Sequence, residues 1–190
     1  SGYAGYFSFG QGAFFGAGVY TAAVLMGRYR LDLLAALPVA AAVAGLLGAA
    51  VGLLAFRLRR LREAIFALLT LAVALGMHSL VNNVAFIDGG RGISLNDARY
   101  PGVFGSQTHL LYYLGLALSA VTLGCAYGIS RSRLGYGLAA IRDDEAVAEQ
   151  LGVPTFRYKM VAAVVSAALA GASGGLHALQ LNYVMSDSVF

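Results

Sequence analysis

Residues 131–159 read RSRLGYGLAAIRDDEAVAEQLGVPTFRYK, and apolar runs at residues 110–129 and 160–181 flank them on both sides. This polar segment holds five of the 13 Lys/Arg residues and four of the nine Asp/Glu residues of the chain. A membrane helix needs about 20 mostly apolar residues, so each flanking run is long enough to cross a bilayer. A charged loop between two such spans is well suited to contact a soluble partner.

The composition excludes a soluble globular protein. The chain is 59% hydrophobic and 12% charged, with a mean hydropathy of +0.73, whereas about a quarter of the residues of a soluble domain are charged. The net charge of +4 does not indicate nucleic-acid binding, because the basic residues flank apolar runs. The single cysteine, Cys125, has no intrachain partner for a disulfide, and we expect it to be a small packing residue.

Five apolar windows predict five membrane spans, at residues 10–27, 38–56, 64–82, 110–129 and 160–181. Helices are expected because backbone polar groups find no water in the hydrocarbon region. The runs lack the alternation of barrel strands. The predicted fold class is an all-α, polytopic transmembrane helical bundle with about five spans, and we expect the chain to be a fragment of a longer protein.

The distribution of basic residues predicts the orientation. Nine of the 13 basic residues lie in residues 57–62 and 130–159. Two predicted spans separate these segments, so both lie on the same side of the membrane. Positively charged loops favour the cytoplasm. We therefore predict that these two segments are cytoplasmic and that residues 28–37, 83–109 and 182–190 face outside.

A short helix is predicted inside the polar segment, from Asp144 to Leu151. Asp143 or Asp144 would cap it, since acidic side chains suit the positive end of a helix. Gly152 is expected to end the helix, with a proline two residues beyond. Residues 134–141 are expected to form the preceding turn or two. An ordinary solvated loop with standard caps would show the same local pattern.

Glycines predict helix packing rather than nucleotide binding. Small residues four positions apart let membrane helices approach closely, and two such pairs occur: Gly12 with Gly16, and Gly171 with Gly175. Residues 5–10 have the GxxxxG spacing of a phosphate loop, but Gln-Gly follows instead of Lys-Ser/Thr. We therefore expect no ATPase site in this chain.

Two other function classes have weaker support. Residues 171–174 match the GxSG pattern of rhomboid-like intramembrane serine proteases, with His177 four residues after Ser173, but no later histidine is present to act as the base. A secondary transporter normally needs an ionisable residue inside the membrane, and the five predicted windows contain no Asp, Glu, Lys or Arg. No Cys/His cluster has metal-binding spacing, so neither a metal nor another cofactor is expected.

Four blocks in chain order resemble the branched-chain amino-acid permeases, LivM type, of bacterial high-affinity ABC uptake systems. They are GYAG…SFGQGAFFG…YTA at residues 2–22, DGGRGI at 88–93, AIRDDEAVAEQLG at 140–152, and K…SAALAG at 159–171. The urea-uptake permeases are close relatives that share these blocks, so a urea or amide permease remains an alternative.

The resemblance implies a permease subunit in a heteromeric importer of the bacterial inner membrane. Its partners would be ABC ATPase subunits that bind ATP, a second permease subunit and a periplasmic substrate-binding protein. Residues 1–190 would be part of one transmembrane domain, and residues 130–160 its cytoplasmic coupling loop. The residues expected to couple to the ATPase are Arg142, Asp143, Asp144, Glu145, Ala146, Glu149 and Gly152. The resemblance implies no catalytic residue in this chain, and the substrate contacts stay unassigned.

Overall fold

The computed structural model describes residues 5–6, 8–57, 63–84, 92–95, 107–181, 183–185 and 189. The helices are α1 (Gln11–Gly27), α2 (Leu33–Phe56), α3 (Glu63–Asn83), α4 (Gln107–Ser130), α5 (Arg133–Asp143), α6 (Glu145–Gln150) and α7 (Thr155–Leu181). Two short strands, β1 (Ile93–Ser94) and β2 (Tyr183–Val184), form an antiparallel pair in which Ile93 lies opposite Val184. The predicted helical fold class is confirmed. Part of the predicted outer loop, including Asp88, and three of the arginines that entered the orientation argument (Arg59, Arg60 and Arg62) lie outside the described residues.

Each of the five predicted spans corresponds to a long helix. Within the described part of the chain, four helices are long and apolar enough to cross a membrane: α2, α3, α4 and α7. The fifth, α1, has 17 residues and is about 26 Å long at 1.5 Å per residue, slightly short of a hydrocarbon core of about 30 Å. Its position is nevertheless central, because α1 packs against both α2 and α7.

Helix α7 begins earlier than the apolar pattern predicts. It starts at Thr155 instead of residue 160, and the Tyr158 amide already donates to the Pro154 carbonyl, at 3.1 Å. Proline is well tolerated at a helix start because its missing N–H would have no intrahelical partner there. Lys159 therefore lies in the second turn of a long helix and is buried. This corrects the expectation that the long helices contain no basic residue.

Helix α2 also begins before its predicted window. It starts at Leu33 instead of residue 38, and Pro38 lies inside its second turn. The carbonyl of Asp32 accepts from the amides of Ala35 and Ala36, each at 3.0 Å. The charge at Asp32 and the proline shortened the apolar window in the sequence, although neither prevents helix formation in this first part of α2.

The centre of the bundle consists of small residues on α1, α2 and α7. The fully buried alanines there are Ala22 and Ala23 on α1, Ala36, Ala40 and Ala44 on α2, and Ala167 and Ala178 on α7. Such side chains let the helix backbones come close, which is how membrane helices gain packing energy without a hydrophobic drive between them. Helix α4 lies at the edge, with Leu110 as its buried residue.

The closest approach of the three helices is at Gly171. A Cβ built there would overlap the Cβ of Ala44 on α2 and would lie 2.8 Å from the carbonyl oxygen of Ala40. On its other side, a Cβ at Gly18 of α1 would overlap the backbone of Gly171. Gly171 is therefore in contact with both neighbouring helices, and its partner on α1 is Gly18.

The other three predicted packing glycines occupy different environments. Gly16 is buried in α1. A Cβ at Gly175 would lie 3.1 Å from the Cδ2 of Leu37. This contact is close, but the end of the leucine side chain can move to relieve it. Gly12 is exposed, and a Cβ there would meet no heavy atom within 4 Å. A side chain at Gly12 would therefore enter open space in the described part of the structure.

Gly171→Ala should destabilise the bundle, whereas Gly12→Ala should not. The added methyl group at Gly171 meets backbone atoms that cannot rotate away, and overpacking of this kind costs about 1–3 kcal/mol. The measurement is the thermal unfolding midpoint of the full-length subunit in detergent, for both variants and the parent. Equal midpoints for the two variants would contradict the close contact at Gly171.

Candidate functional site

The polar segment forms two helices with well-defined caps. Ser132 accepts a hydrogen bond from the Gly135 amide at 3.4 Å and starts α5. The Asp144 carboxylate accepts from the amides of Ala146 and Val147, at 2.9 and 3.0 Å, and starts α6. Helix α6 (Glu145–Gln150) agrees with the expected short helix to within one residue at each end, and Asp144 is its N-cap. Helix α5 has 11 residues, about three turns and longer than expected.

Gly152 ends α6 in the manner the sequence predicts. Its φ of +83° lies in the left-handed region, which favours glycine because other residues bring a Cβ into steric conflict. Its amide donates to the Glu149 carbonyl, and the Val153 amide donates to the Ala148 carbonyl, each at 3.0 Å. These bonds satisfy carbonyl groups at the end of the helix.

Six of the seven predicted coupling residues are exposed at the surface of the segment: Arg142, Asp143, Asp144, Ala146, Glu149 and Gly152. Two apolar side chains are exposed among them. Val147 is 50% exposed and Leu151 is 79% exposed. The surface of α6 therefore combines acidic groups with exposed apolar side chains. We call Asp143, Val147, Glu149 and Leu151 the α6 surface.

Glu145, the seventh predicted residue, is turned toward the long helices. Its Oε1 atom accepts a hydrogen bond from Lys159 Nζ on α7, at 2.5 Å. Its Oε2 atom accepts from the hydroxyl of Tyr6, which precedes α1, also at 2.5 Å. The Lys159 side chain is 7% exposed and that of Glu145 is 36% exposed. The Glu145 carboxylate thus connects α6 to α7 and to the segment before α1.

Aromatic rings enclose this ion pair. The Tyr6 ring meets the rings of Phe56 and Phe66 edge-on, at centroid distances of 6.0 and 5.5 Å, and these two rings stack at 5.4 Å. The Lys159 ammonium lies 5.1 Å from the centroids of both Tyr6 and Phe56, within the range of a cation–π interaction. The end of α2 and the start of α3 therefore join the same cluster, which we call the Glu145 anchor: Tyr6, Phe56, Phe66, Glu145 and Lys159.

Opposing effects determine the pKa of Glu145. Burial raises it, whereas the hydrogen bonds from Lys159 and Tyr6 and the positive charge of Lys159 lower it. The favourable contacts are stronger than burial, so the pKa of Glu145 lies below its usual value. Glu145 is therefore ionised at neutral pH and paired with the Lys159 ammonium.

Two adjoining cavities meet at the anchor and share Tyr6, Phe56, Phe66 and Lys159. The larger cavity has a volume of about 270 Å³, and Glu145, Glu149 and Thr155 also line it. The smaller cavity, of about 80 Å³, extends between α1, α2, α3 and α7. Besides Tyr6 and Lys159, its polar lining residues are Ser8, Gln11, Thr70 and Ser166, and Gln11 Nε2 donates to Ser166 Oγ at 3.2 Å.

Four of the five members of the anchor were not among the residues predicted from the sequence: Tyr6, Phe56, Phe66 and Lys159. For Lys159 a signal was present, because a lysine next to an apolar run must find a partner if it is buried. Glu145 is the partner it finds, 14 residues earlier in the chain. Tyr6 carries no comparable signal, since its contact with Glu145 spans 139 residues.

The protease pattern does not form a nucleophile–base pair in this structure. The Ser173 hydroxyl donates to the carbonyl of Ala170 on its own helix, at 2.7 Å. The His177 ring packs against Phe15, at a centroid distance of 5.5 Å. Among the described residues, no group of three or more His, Cys, Asp or Glu side chains is placed to hold a metal ion.

Long apolar helices packed through small residues, with a charged segment anchored at one end, define a polytopic helical membrane protein. The chain matches the family described as "Branched-chain amino acid transport system / permease component" over residues 1–190, and it belongs to this family. Together with the spanning helices, membership identifies a multi-pass protein of the bacterial inner membrane.

Curated relatives agree with this assignment. The chain is 32% identical over 213 aligned residues to "High-affinity branched-chain amino acid transport system permease protein LivM" of Escherichia coli (strain K12), and equally to the protein of that name from Salmonella typhimurium. The alignments cover 98% of this chain and 49% of each relative, so the chain spans about half the length of these proteins. No solved structure matches the chain significantly.

The lowered pKa of Glu145 predicts how the anchor responds to acid. A carboxyl group with a lowered pKa contributes stability above its unfolded pKa, and this stability is lost as the pH falls through the folded pKa. Hydrogen exchange of the α6 amides in the full-length subunit, corrected for intrinsic rates, should therefore show constant protection down to the usual value of 4.5 and loss below it.

Glu145→Gln provides the control for this measurement. It should show weaker protection of α6 and a smaller loss of protection over the same pH range, because the cap at Asp144 is unchanged. Loss of protection in the parent well above the usual carboxyl range would contradict the paired state of Glu145.

Proposed function

We propose that this chain belongs to a membrane-spanning permease subunit of a bacterial ABC importer that takes up branched-chain amino acids. The family match over the whole chain and the names of the LivM relatives support this transport class. The structural observation that carries the proposal is the Glu145 anchor. It gives a short helix outside the long helices a direct ionic connection to them, as a transport subunit driven by a separate motor requires.

The proposed partners are ABC ATPase subunits, a second permease subunit and a periplasmic substrate-binding protein. ATP is bound by the ATPase partner, and this chain needs no cofactor of its own. Residues 130–160 act as the cytoplasmic coupling loop, consistent with the concentration of basic residues there.

The α6 surface is the proposed contact with the ATPase. Val147 and Leu151 supply exposed apolar area, and Asp143 and Glu149 add negative charge beside it. A groove with an apolar floor and a basic rim would complement this surface, since charge complementarity gives an interface its specificity and orientation.

The anchor then transmits movement of α6 to the bundle. ATP binding closes the ATPase pair and displaces α6. Because Glu145 is bonded to Lys159 near the start of α7 and to Tyr6 just before α1, the displacement acts on the ends of two central helices. These helices are in backbone contact where Gly18 meets Gly171, so they respond as packed units. Rigid-body shifts of packed helices are a common form of such switching.

Replacing Gly152 should separate coupling from membrane insertion. Gly152→Val places a β-branched side chain at positive φ, which costs about 1–2 kcal/mol, whereas Gly152→Asn retains a residue that tolerates this conformation. The full-length subunit should insert normally in both variants. With Val, co-purification of the ATPase and amino-acid uptake should fall by roughly tenfold, the equivalent of about 1.4 kcal/mol.

Gly152→Asn is the matched control and should stay close to the parent in both measurements. Equal uptake and equal ATPase recovery for the Val and Asn variants would show that the geometry of α6 is not used for coupling.

A further inference from the structure

We propose that Lys159 binds the carboxylate of the transported amino acid, and that Glu145 occupies this position when no substrate is bound. The inference rests on the proposed function and adds a substrate site to it. The site is the larger cavity at the Glu145 anchor, together with the adjoining smaller one.

The argument begins with the burial of Lys159. Its side chain is 7% exposed, and its charge is balanced by Glu145. Removing one partner of a buried ion pair is strongly unfavourable because the other charge is left unpaired in a low-dielectric environment. Glu145 belongs to α6, the element that moves in the proposed function. A displacement of α6 therefore requires a second anion for Lys159.

The cavities provide room for that anion. The larger has a volume of about 270 Å³, whereas an engineered protein cavity of about 150 Å³ is sufficient to bind benzene. Lys159 lines both cavities. The larger cavity therefore has room beside the ammonium for a ligand of the size of leucine.

The lining matches an amino-acid zwitterion with an apolar side chain. Lys159 supplies the cation for the carboxylate, and Glu149, which lines the same cavity, supplies an acceptor for the ammonium. Phe56 and Phe66 provide an apolar wall for the side chain. A neutral solute such as urea brings neither a carboxylate nor an apolar group, so these features favour amino acids over the urea class.

Competition for Lys159 gives the proposal a distinctive consequence. If Glu145 and the substrate carboxylate use the same ammonium group, removing the Glu145 charge strengthens substrate binding, while removing the Lys159 charge weakens it. A pair that only holds the fold together predicts the opposite for Glu145, because loss of either partner then weakens binding.

The experiment is equilibrium binding of radiolabelled leucine to the assembled importer with full-length subunits, in lipid nanodiscs and without the substrate-binding protein. Lys159→Gln should weaken binding by about tenfold or more, since a charge-assisted hydrogen bond is lost. Glu145→Gln should tighten it several-fold. Arg157→Gln is the matched control: it removes a positive charge from the same helix at an exposed position and should change nothing.

Two further measurements keep the test decisive if Lys159→Gln does not fold. Lys159→Arg keeps the charge and should bind leucine within a few-fold of the parent. Leucinamide, which lacks the carboxylate, should bind the parent at least about tenfold more weakly than leucine, because it cannot form the charge-assisted bond.

Three results would overturn the proposal: weaker leucine binding in Glu145→Gln, equal binding of leucine and leucinamide by the parent, or no leucine binding by the parent complex. Uptake by the complete importer with its binding protein tests the proposed function separately. Normal uptake of branched-chain amino acids with any of these three results would reject the Lys159 site alone.

Discussion

The bond between Glu145 and Lys159 is the interaction on which the arrangement of the polar segment depends. Lys159 is buried near the start of a long helix, and a charge in that position must be paired. Helix α7 itself contains no acidic residue, and the partner of Lys159 comes from α6. The cost of leaving Lys159 unpaired therefore helps to keep α6 at the end of the bundle, since α6 has six residues and buries Ala148 alone among them.

In the proposed coupling, the anchor acts on a bundle of closely packed helices. Gly18 and Gly171 bring the backbones of α1 and α7 into contact, and Ala40 and Ala44 of α2 close the other side. Close-packed helices cannot deform gradually and instead shift as units. An ionic contact at one end, with Tyr6 in front of α1 and Lys159 within α7, is thus placed to influence the whole set of central helices.

Local rules in the sequence predicted most of the fold. The apolar windows identified the long helices, and the cap at Asp144 and the end at Gly152 followed from the chemistry of single residues. The start of α7 was wrong because a charged residue was taken as a loop signal, whereas Lys159 is accommodated by its pairing with Glu145. The contact of Gly171 with Gly18 could not be predicted, because i,i+4 spacing identifies a packing face but not the helix that packs on it. The contact of Tyr6 with Glu145 could not be predicted for the same reason, since it depends on the tertiary fold.

A double-mutant cycle on the free energy of unfolding tests the central claim most directly. The full-length subunit would be compared with Glu145→Gln, Lys159→Gln and the variant carrying both changes, each titrated with denaturant in the same detergent. If the two residues act as an anchor, the double variant loses less unfolding free energy than the two single variants lose in sum. The difference, which is the coupling energy, should be about 0.5–3 kcal/mol. Additivity within about 0.3–0.5 kcal/mol would show that the two residues act independently and that α6 is not held to the membrane helices by this bond.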